Sequence, residues 1–312
     1  MANLKTWLQQ FFGASEEKAS PETPVVAVPA SPEAAPLPES KALSSAAPPT
    51  SCSGKFSVGW LTDVGRVRGH NEDALFVFIG EQDASNAAPP FGLFVLADGM
   101  GGHQAGEVAS SLAVRTVSAH LISQVYLPLL SGFRGADQPS LTEVMREAIT
   151  QANRLVTQDL PGSGCTLTCG MVMGDRLFVG HVGDSRAYLM PAAEPLKQIT
   201  HDHSLVNRLI EVGQLTEAEA AVHPQRNVLY RAIGQGGGLD VDVSTYTMQN
   251  GDCLLLCTDG LWGMLPDAEI TRTITTEDTP SEMCRQLVTA ANAAGGNDNI
   301  TVILIKIWEN QD

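Results

Sequence analysis

Short apolar runs rich in β-branched residues recur from residue 55 to the end of the chain and predict β-strands. Turn residues such as Gly174-Asp175 separate neighbouring runs, which favours antiparallel pairing. Strands and helices do not alternate regularly, so a parallel sheet built from βαβ units is not expected. The predicted strands are Phe56–Leu61, Ala74–Ile79, Phe91–Ala97, Thr166–Met173, Arg176–Val182, Ala187–Met190, Val241–Met248, Cys253–Cys257 and Ile300–Ile307.

Apolar residues recur with helical spacing in three segments, Gly106–Ser123, Leu141–Gln158 and Pro280–Ala294. We therefore expect an α+β fold in which two antiparallel sheets pack face to face with helices outside. Between two predicted strands, residues 200–238 form a long, polar, turn-rich excursion. Such an excursion predicts short surface helices and is typical of a flap that faces a substrate.

Residues 14–54 differ in composition from everything that follows them, with eight prolines and no aromatic residue. Such a segment buries too little apolar surface to offset the entropy lost on ordering. We interpret it as a disordered Pro/Ala-rich linker. Residues 55–312 then form one folded domain.

The first 13 residues place five apolar side chains on one face of a helix. These are Leu4, Trp7, Leu8, Phe11 and Phe12. A helix this short is marginal alone in water. Residues 1–13 therefore predict an amphipathic docking helix for a partner groove or a membrane surface. A frayed end and a helix packed on its own domain are the alternatives.

Charge excludes some classes of partner. The chain has 19 Lys+Arg against 35 Asp+Glu, a formal net charge of −16 and a pI near 4.7. This acidic balance argues against nucleic acid and against adsorption to anionic lipid. No apolar run reaches the roughly 18 residues of a transmembrane segment. The chain starts with neither a signal-peptide nor a myristoylation pattern, so we expect a cytoplasmic protein.

Carboxylates at strand ends are the main chemical signal. Two buried-looking strands end at Asp98-Gly99 and at Asp259-Gly260. Carboxylates at such positions are costly unless they are solvated, paired or metal-bound. Ligands that are all oxygen atoms suit Mg²⁺ or Mn²⁺. Two such ions could lower the pKa of a bridging water and direct it to attack a phosphorus atom. The other carboxylates near strand ends are Glu72, Asp73, Asp184 and Asp298.

Arg68 lies four residues before Glu72. Its guanidinium could bind a phosphate group through two hydrogen bonds, which a lysine does less well. The alternative is an ordinary surface charge. The neighbouring carboxylates favour the first interpretation.

Five segments of the sequence carry the candidate site residues or their neighbours: DVGRVRGHNED (63–73), LADGMGGHQAGEVAS (96–110), GHVGDSRAYL (180–189), LLLCTDGLWGML (254–265) and GGNDNITVILIKI (295–307). Together they resemble the bacterial form of the metal-dependent serine/threonine protein phosphatases of type 2C. They occur in the order of that family, and the resemblance spans residues 56–308.

The resemblance implies a four-layer α-β-β-α sandwich with a metal site at one end of the sheets, and it makes residues 55–312 the catalytic domain. It implies hydrolysis of phosphoserine and phosphothreonine in proteins by a water that bridges two Mn²⁺ or Mg²⁺ ions. A third, weaker ion is expected by the same resemblance. The enzyme would oppose a bacterial Ser/Thr protein kinase.

The resemblance also implies roles for individual residues. Asp98 would bridge the two ions, and Gly99 would contribute its backbone carbonyl. Asp259 and Asp298 would complete the ligands of one ion. The remaining expectations are Glu72 and Asp73 as holders of metal-bound waters, Asp184 as a ligand of the third ion, and Arg68 as the group that binds the substrate phosphate.

The sequence departs from the eukaryotic members of the family at Met100, where those members carry a histidine proposed to protonate the leaving group. His103 is a candidate for that general acid, and a metal-bound water is the alternative. Within the excursion, His201, His203 and His223 are expected at the surface or against substrate, whereas His181 is expected to be structural.

Four cysteines could suggest a zinc site, but their apolar neighbours favour core packing. They are Cys165, Cys169, Cys253 and Cys257.

Two other functions compete with the phosphatase hypothesis. A non-catalytic module that binds phosphoproteins is expected to have lost some of Asp98, Asp259, Asp298 and Arg68, and all four are present. An enzyme that acts on small phosphoesters also fits the carboxylates. The long excursion and the N-terminal segment favour protein substrates over small ones.

Overall fold

The computed structural model describes residues 50–52, 55–81, 88–101, 104–132, 139–192, 194–276 and 278–307. These residues belong to one compact unit, Ala46–Asp312. The predicted docking helix, most of the predicted linker and His103 lie outside the described residues.

The first sheet has six strands in the order β1-β2-β12-β11-β8-β9, and every neighbouring pair is antiparallel. Its first strand pairs with β2 through Thr50 to Cys52, although these residues fall in the range predicted as linker. This end of the predicted linker therefore belongs to the sheet. The strands are β1 (Thr50–Cys52), β2 (Phe56–Asp63), β8 (Arg186–Met190), β9 (Lys197–Gln198), β11 (Cys253–Cys257) and β12 (Ile300–Ile307).

The second sheet has the strand order β10-β7-β6-β4-β3 and is also antiparallel. The short strand β5 pairs with the last two residues of β4, Gly99 and Met100. The strands are β3 (Asp73–Gly80), β4 (Phe91–Met100), β5 (Gly164–Cys165), β6 (Leu167–Met173), β7 (Arg176–Val182) and β10 (Asp242–Thr247).

The helices include the three that periodicity predicted, two short ones in the excursion 200–238 where short helices are expected, and further short ones that were not predicted. A π-helical segment, Ile122–Tyr126, joins the first two helices. Ser140 and Glu143 form a capping box at the start of α3, which satisfies backbone N–H groups there. The helices are α1 (Gln104–Leu121), α2 (Leu127–Ser131), α3 (Leu141–Asp159), α4 (Leu205–Glu211), α5 (Glu217–Ala221), α6 (Asp259–Trp262), α7 (Asp267–Ile274) and α8 (Pro280–Ala293).

Three apolar clusters hold the layers together. Residues such as Phe94 of β4 and Ile303 of β12 pack between the two sheets. The outer face of the second sheet packs against α1 and α3, with Val117 and Ile149 buried there. The outer face of the first sheet packs against α7 and α8, with Leu287 buried there. The fold is thus an α-β-β-α sandwich of two antiparallel sheets flanked by helices, as predicted.

The two cysteine pairs lie in different layers of this sandwich. Cys165 and Cys169 are buried between the second sheet and its helices. Cys253 and Cys257 are buried between the first sheet and its helices. Their packing is therefore apolar, and the two pairs do not face each other across the inter-sheet core.

None of the helices in the described ranges combines the length and the hydropathy that a bilayer crossing requires.

Candidate active site

Asp73 and Asp98 form the base of the site. Asp73 is the first residue of β3 and lies opposite Asp98, near the end of β4, in the antiparallel register. Because strand side chains alternate between faces, partners in register point to the same face of the sheet. The register therefore brings the two carboxylates together.

Two threonines orient Asp73 from the other sheet. The hydroxyls of Thr258 and Thr301 donate to Asp73 Oδ2 at 3.0 and 2.6 Å. The backbone N–H of Thr301 donates in turn to Thr258 Oγ1 at 3.0 Å. The Thr62 and Thr301 hydroxyls lie 2.8 Å apart, and the Thr301 proton is used by Asp73, so Thr62 donates. This chain of hydroxyls joins the two sheets at the site.

Asp98 is held through its backbone. Its N–H donates to Thr166 Oγ1, and its carbonyl accepts from the Thr166 N–H, each at 2.9 Å. The next residue, Gly99, donates its N–H to the Glu72 carbonyl at 3.1 Å. A Cβ at Gly99 would lie 2.4 Å from the Gly106 carbonyl oxygen, so the close approach of α1 requires glycine.

Asp259 begins the short helix α6 immediately after β11. The structure shows a helical turn at Asp259-Gly260. A Cβ at Gly260 would lie 2.0 Å from the Asn299 carbonyl oxygen. Repulsion from Asp259 contributes to the raised pKa of both Asp73 and Asp98, so the three carboxylates lie close together. Asp73, Asp98 and Asp259 are called the acidic site below.

Asn299 organises the rim of the acidic site. Its side-chain oxygen accepts from the Glu72 N–H at 2.8 Å. Its side-chain nitrogen donates to the carbonyls of Val64 and His70 at 2.9 and 3.0 Å. The loop that carries Arg68 is thereby fixed against the segment that carries Asp298.

Arg68 and Asp298 form an ion pair at this rim. Arg68 Nη2 donates to Asp298 Oδ2 at 2.7 Å, with the arginine side chain 49% exposed. Asp298 Oδ1 accepts from the Asn299 N–H at 2.9 Å. The side chain of Glu72 contacts His70, whose Nε2 lies 3.0 Å from Glu72 Oε1.

Asp184 lies in the loop between β7 and β8. The indole N–H of Trp262, on the same short helix as Asp259, donates to the Asp184 carbonyl at 3.1 Å. Burial raises the pKa of Asp184 to about 8, and repulsion from Asp259 adds to the shift. Asp184 is therefore close enough to the acidic site to feel its charge.

The carboxylates raise one another's pKa. Burial is the largest cause of the raised pKa of Asp98, and repulsion from Asp73 and Asp259 adds to it. Burial raises the pKa of Asp73 to about 7, although the threonine hydroxyls oppose the shift. Burial and repulsion from Asp298 raise the pKa of Asp259 to about 6. A cation held among these groups would favour their ionised forms.

Unpaired oxygens show that the acidic site fits a metal ion. Asp73 Oδ1 and Asp259 Oδ1 are buried and accept no hydrogen bond from the described residues. Such oxygens are costly to bury without a partner, and carboxylate oxygens suit Mn²⁺ and Mg²⁺. No three His, Cys, Asp or Glu side chains of the described ranges converge on one point as they stand. An ion here would therefore take further oxygens from backbone carbonyls and water, as Mg²⁺ commonly does.

The structure thus brings most of the predicted site residues together. Asp73 and Asp98 are register partners, and Asp259 interacts electrostatically with both. Asp184 lies within electrostatic reach of Asp259, and the Arg68–Asp298 ion pair lies at the rim. His103 lies outside the described residues.

Sequence reasoning missed the polar residues that orient the carboxylates. Thr258, Thr301 and Asn299 each adjoin a predicted site residue or its strand, so their position beside the motifs was the available signal. His203 was expected at the surface or against substrate. It is 1% exposed and bonds to the backbone of Gly183.

Residues 61–300 match the family described as Protein phosphatase 2C. The chain is 38% identical over 245 residues to the serine/threonine phosphatase Stp of Listeria innocua, covering 78% of this chain and 93% of Stp. It is 36% identical over 255 residues to the protein phosphatase PhpP of Streptococcus pneumoniae, covering 81% and 98%.

A solved structure agrees with these relatives. The catalytic domain of the serine/threonine phosphatase PstP, in complex with two manganese ions, superposes with a TM-score of 0.65 at 32% identity. The superposition covers 81% of this chain and 99% of that one. The fold and the acidic site define a phosphoester hydrolase built on an α-β-β-α sandwich. The chain belongs to the protein phosphatase 2C family in its bacterial form, and it is an enzyme of the serine/threonine phosphatase class.

Proposed function

We propose that this protein removes phosphate from phosphoserine and phosphothreonine in other proteins, using a water shared between two Mn²⁺ or Mg²⁺ ions. The ions would supply the Lewis acidity that makes water nucleophilic near neutral pH and would offset charge on the phosphoryl oxygens. The observation that carries the proposal is the pair of buried oxygens without a hydrogen bond, Asp73 Oδ1 and Asp259 Oδ1, beside Asp98.

The aspartates are proposed as the metal-holding groups. Asp98 is the register partner of Asp73 and feels the charge of both Asp73 and Asp259, which suits a ligand shared by two ions. Asp298 and the Gly99 carbonyl are proposed as further ligands, with Glu72 and Asp73 holding ion-bound waters. Asp184 is proposed as the ligand of a third, weaker ion, because its charge is coupled to that of Asp259.

Arg68 is proposed to bind the substrate phosphate. Its guanidinium is half exposed at the rim and is already paired with one carboxylate oxygen of Asp298. A phosphate group offers two oxygen acceptors that a guanidinium can bind together. Arg68 is therefore oriented for an oxyanion before substrate arrives, and Asn299 fixes the loop that carries it.

The test is phosphate release from a phosphothreonine peptide by the full chain, with Mn²⁺ and with EDTA. Asp259→Asn removes the charge of an acidic-site carboxylate while keeping its shape. We expect kcat to fall at least about 10³-fold, as expected for loss of a metal-held nucleophile. The matched control is Asp159→Asn at the exposed end of α3, which should behave as wild type.

Turnover in EDTA equal to that in Mn²⁺ would reject the metal-dependent mechanism. Turnover of Asp259→Asn near that of wild type would reject the assignment of the acidic site. Hydrolysis of an aryl phosphate with none of phosphoserine or phosphothreonine peptides would instead favour small phosphoesters as substrates.

We also propose a biological setting. The acidic chain and the Listeria and Streptococcus relatives named as protein phosphatases support a cytoplasmic enzyme that reverses a Ser/Thr protein kinase. The amphipathic pattern of residues 1–13 supports a docking partner for that segment. Phosphoproteomes of cells with and without the gene test the first proposal, since sites phosphorylated by one kinase should accumulate together.

A further inference from the structure

A buried histidine lies directly behind the loop of Asp184. His203 is 1% exposed and therefore does not face solvent. The Gly183 N–H donates to His203 Nδ1 at 3.0 Å, and the His203 N–H donates to the Gly183 carbonyl at 2.8 Å. His203 therefore holds both sides of the residue that precedes Asp184.

The hydrogen bonds define the protonation of the ring. A backbone N–H can only donate, so Nδ1 of His203 carries no proton and Nε2 carries it. Nε2 then donates to Asp242 Oδ2 at 3.1 Å. Arg231 Nη1 also lies 3.2 Å from Nε2, but a protonated Nε2 cannot accept from it. Arg231 Nη1 donates to the other oxygen of Asp242 at 2.9 Å, which holds the carboxylate in place.

The same histidine closes the base of the flap, residues 200–238. The Tyr230 N–H donates to the His203 carbonyl at 3.0 Å, and Ser204 forms a β-bridge with Leu229. Residues 203–204, near the start of the flap, therefore meet residues 229–230. The Gly183 carbonyl, which accepts from the His203 N–H, also accepts from His181 Nε2 at 3.0 Å.

The backbone at Gly183 requires this support. Its φ is +113°, and a Cβ there would lie 2.6 Å from the side chain of Thr166. Without His203 Nδ1, the buried N–H of Gly183 would lose its acceptor, and a glycine in this conformation has other conformations available. On the far side, Trp262 holds only the carbonyl of Asp184.

From these contacts we propose that His203 is a positioning residue that fixes Asp184 for its ion through the Gly183 N–H. The proposal rests on the proposed function, because it takes Asp184 as the ligand of the weaker ion. His203 touches neither the ion nor the substrate. Removal of a hydrogen-bonding group that holds a metal ligand in position typically changes metal affinity about 10- to 100-fold.

Two substitutions distinguish the contribution of His203 Nδ1 from that of Nε2. The side-chain oxygen of Asn in His203→Asn can take the place of Nδ1 and still accept from Gly183. The amide of Gln in His203→Gln can take the place of Nε2 but leaves the Gly183 N–H without an acceptor. The control is His120→Gln on α1, where the histidine bonds to Gln151 away from the flap.

The experiment titrates each full-length variant with Mn²⁺ and measures free Mn²⁺ by electron paramagnetic resonance, without substrate. Asp184→Asn identifies the class of ions that depends on Asp184. We expect His203→Gln to weaken that class at least about 10-fold and to leave the tighter ions unchanged. His203→Asn and His120→Gln should bind as wild type does.

Activity on a phosphothreonine peptide is measured beside the titration. The Mn²⁺ concentration for half-maximal rate should rise in His203→Gln by the same factor as the weakened class. Should His203→Gln fail to fold, Asp242→Ala is the second variant. It removes the acceptor of His203 Nε2 and should also weaken Mn²⁺ binding by the ions that depend on Asp184.

Equal binding in His203→Gln and wild type would overturn the inference, and so would equal losses in His203→Gln and His203→Asn. A wild type that binds Mn²⁺ and hydrolyses the peptide while Asp184→Asn loses no class of ions would also overturn it. A wild type with neither Mn²⁺ binding nor turnover would instead reject the proposed function, and the inference would fall with it.

Discussion

Asp73 and Asp98 are register partners at the edge of the second sheet where β3 begins, and they share one face of that sheet. Thr258 and Thr301 of the first sheet donate to Asp73, so the acidic site lies where the ends of both sheets meet. This arrangement explains why the carboxylates are hard to ionise together. The charge of the site comes from its carboxylates, whereas their orientation comes from the neighbouring threonines.

Stability of the metal-free protein should fall as pH rises. The pKa of Asp73 is about 7 in the folded protein, against about 3.9 in an unfolded chain. The folded state therefore binds more protons between these values, and the stability gained from protonation is lost as pH rises through about 7. We expect the Tm measured in EDTA to decrease between about pH 5 and about pH 8.

Two comparisons test whether this decrease of Tm with pH arises from the acidic site. Saturating Mn²⁺ should flatten it, because the ion favours the ionised carboxylates. Asp73→Asn should flatten part of it in EDTA, whereas Asp159→Asn should not. An identical slope in wild type and Asp73→Asn would contradict the assignment of Asp73.

Replacement of Arg68 should weaken phosphate binding more than it slows turnover. Arg68→Ala should raise KM for a phosphothreonine peptide at least about 10-fold, since the contact is made to phosphate in the ground state as well as the transition state. Arg68→Lys should recover only part of the loss, because an ammonium cannot make the paired contact.

The control for this series is Arg272→Ala, an arginine of α7 that is 78% exposed in its side chain. The Tm of Arg68→Ala should stay close to that of wild type, because exposed ion pairs contribute little. A KM unchanged in Arg68→Ala would place the phosphate elsewhere.

The Thr301 hydroxyl should matter more than its methyl group. Thr301→Val keeps the shape of the side chain but removes the 2.6 Å donor to Asp73. We expect the Mn²⁺ concentration for half-maximal rate to rise by about 10-fold, as for other groups that orient a ligand. Thr301→Ser keeps the hydroxyl and should restore the wild-type value; equal effects of the two substitutions would count against the orienting role.

Gly260 should not tolerate a side chain. A Cβ there would lie 2.0 Å from the Asn299 carbonyl oxygen, a backbone atom that cannot move aside cheaply. Gly260→Ala should destabilise the fold by about 1–3 kcal/mol, measured by urea unfolding. Gly238→Ala is the control, since a Cβ there meets nothing within 4 Å. Equal stabilities of the two variants would show that the two segments separate easily.

Removal of residues 1–45 should leave catalysis intact. The strand β1 starts at Thr50 and pairs with β2, so the deletion keeps every strand of the described sheets. We expect kcat and KM for an aryl phosphate to equal those of the full chain. Lost activity with an unfolded circular dichroism spectrum would show that the deleted residues support the domain.

Secondary structure was largely predictable where the signal was local. Apolar runs rich in β-branched residues, such as Ile300–Ile307, matched strands. The long helices Leu141–Asp159 and Pro280–Ala293 matched the segments predicted from their apolar period within one residue. Short elements were missed. The strand β1, the helix α7 and the helical turn at Asp259 are too short for periodicity to register.

The acidic site was predictable in its composition but not in its support. Asp98 and Asp259 stood out because each ends an apolar strand before a glycine. Thr301 and His203 did not stand out, because a threonine in a strand and a histidine in a polar loop are ordinary in sequence. Their roles depend on partners 228 and 20 residues away, namely Asp73 and Gly183.

Local patterns were enough to predict the strands, the long helices and the motifs that identify the family, because these depend on residues close together along the chain. Tertiary structure alone decided which strand ends meet, which carboxylate oxygens are left without a donor, and which histidine lies behind Asp184. These properties arise from sheet register and from the packing of one sheet on the other. Both are contacts between segments far apart in sequence, and local pattern carries no information about them.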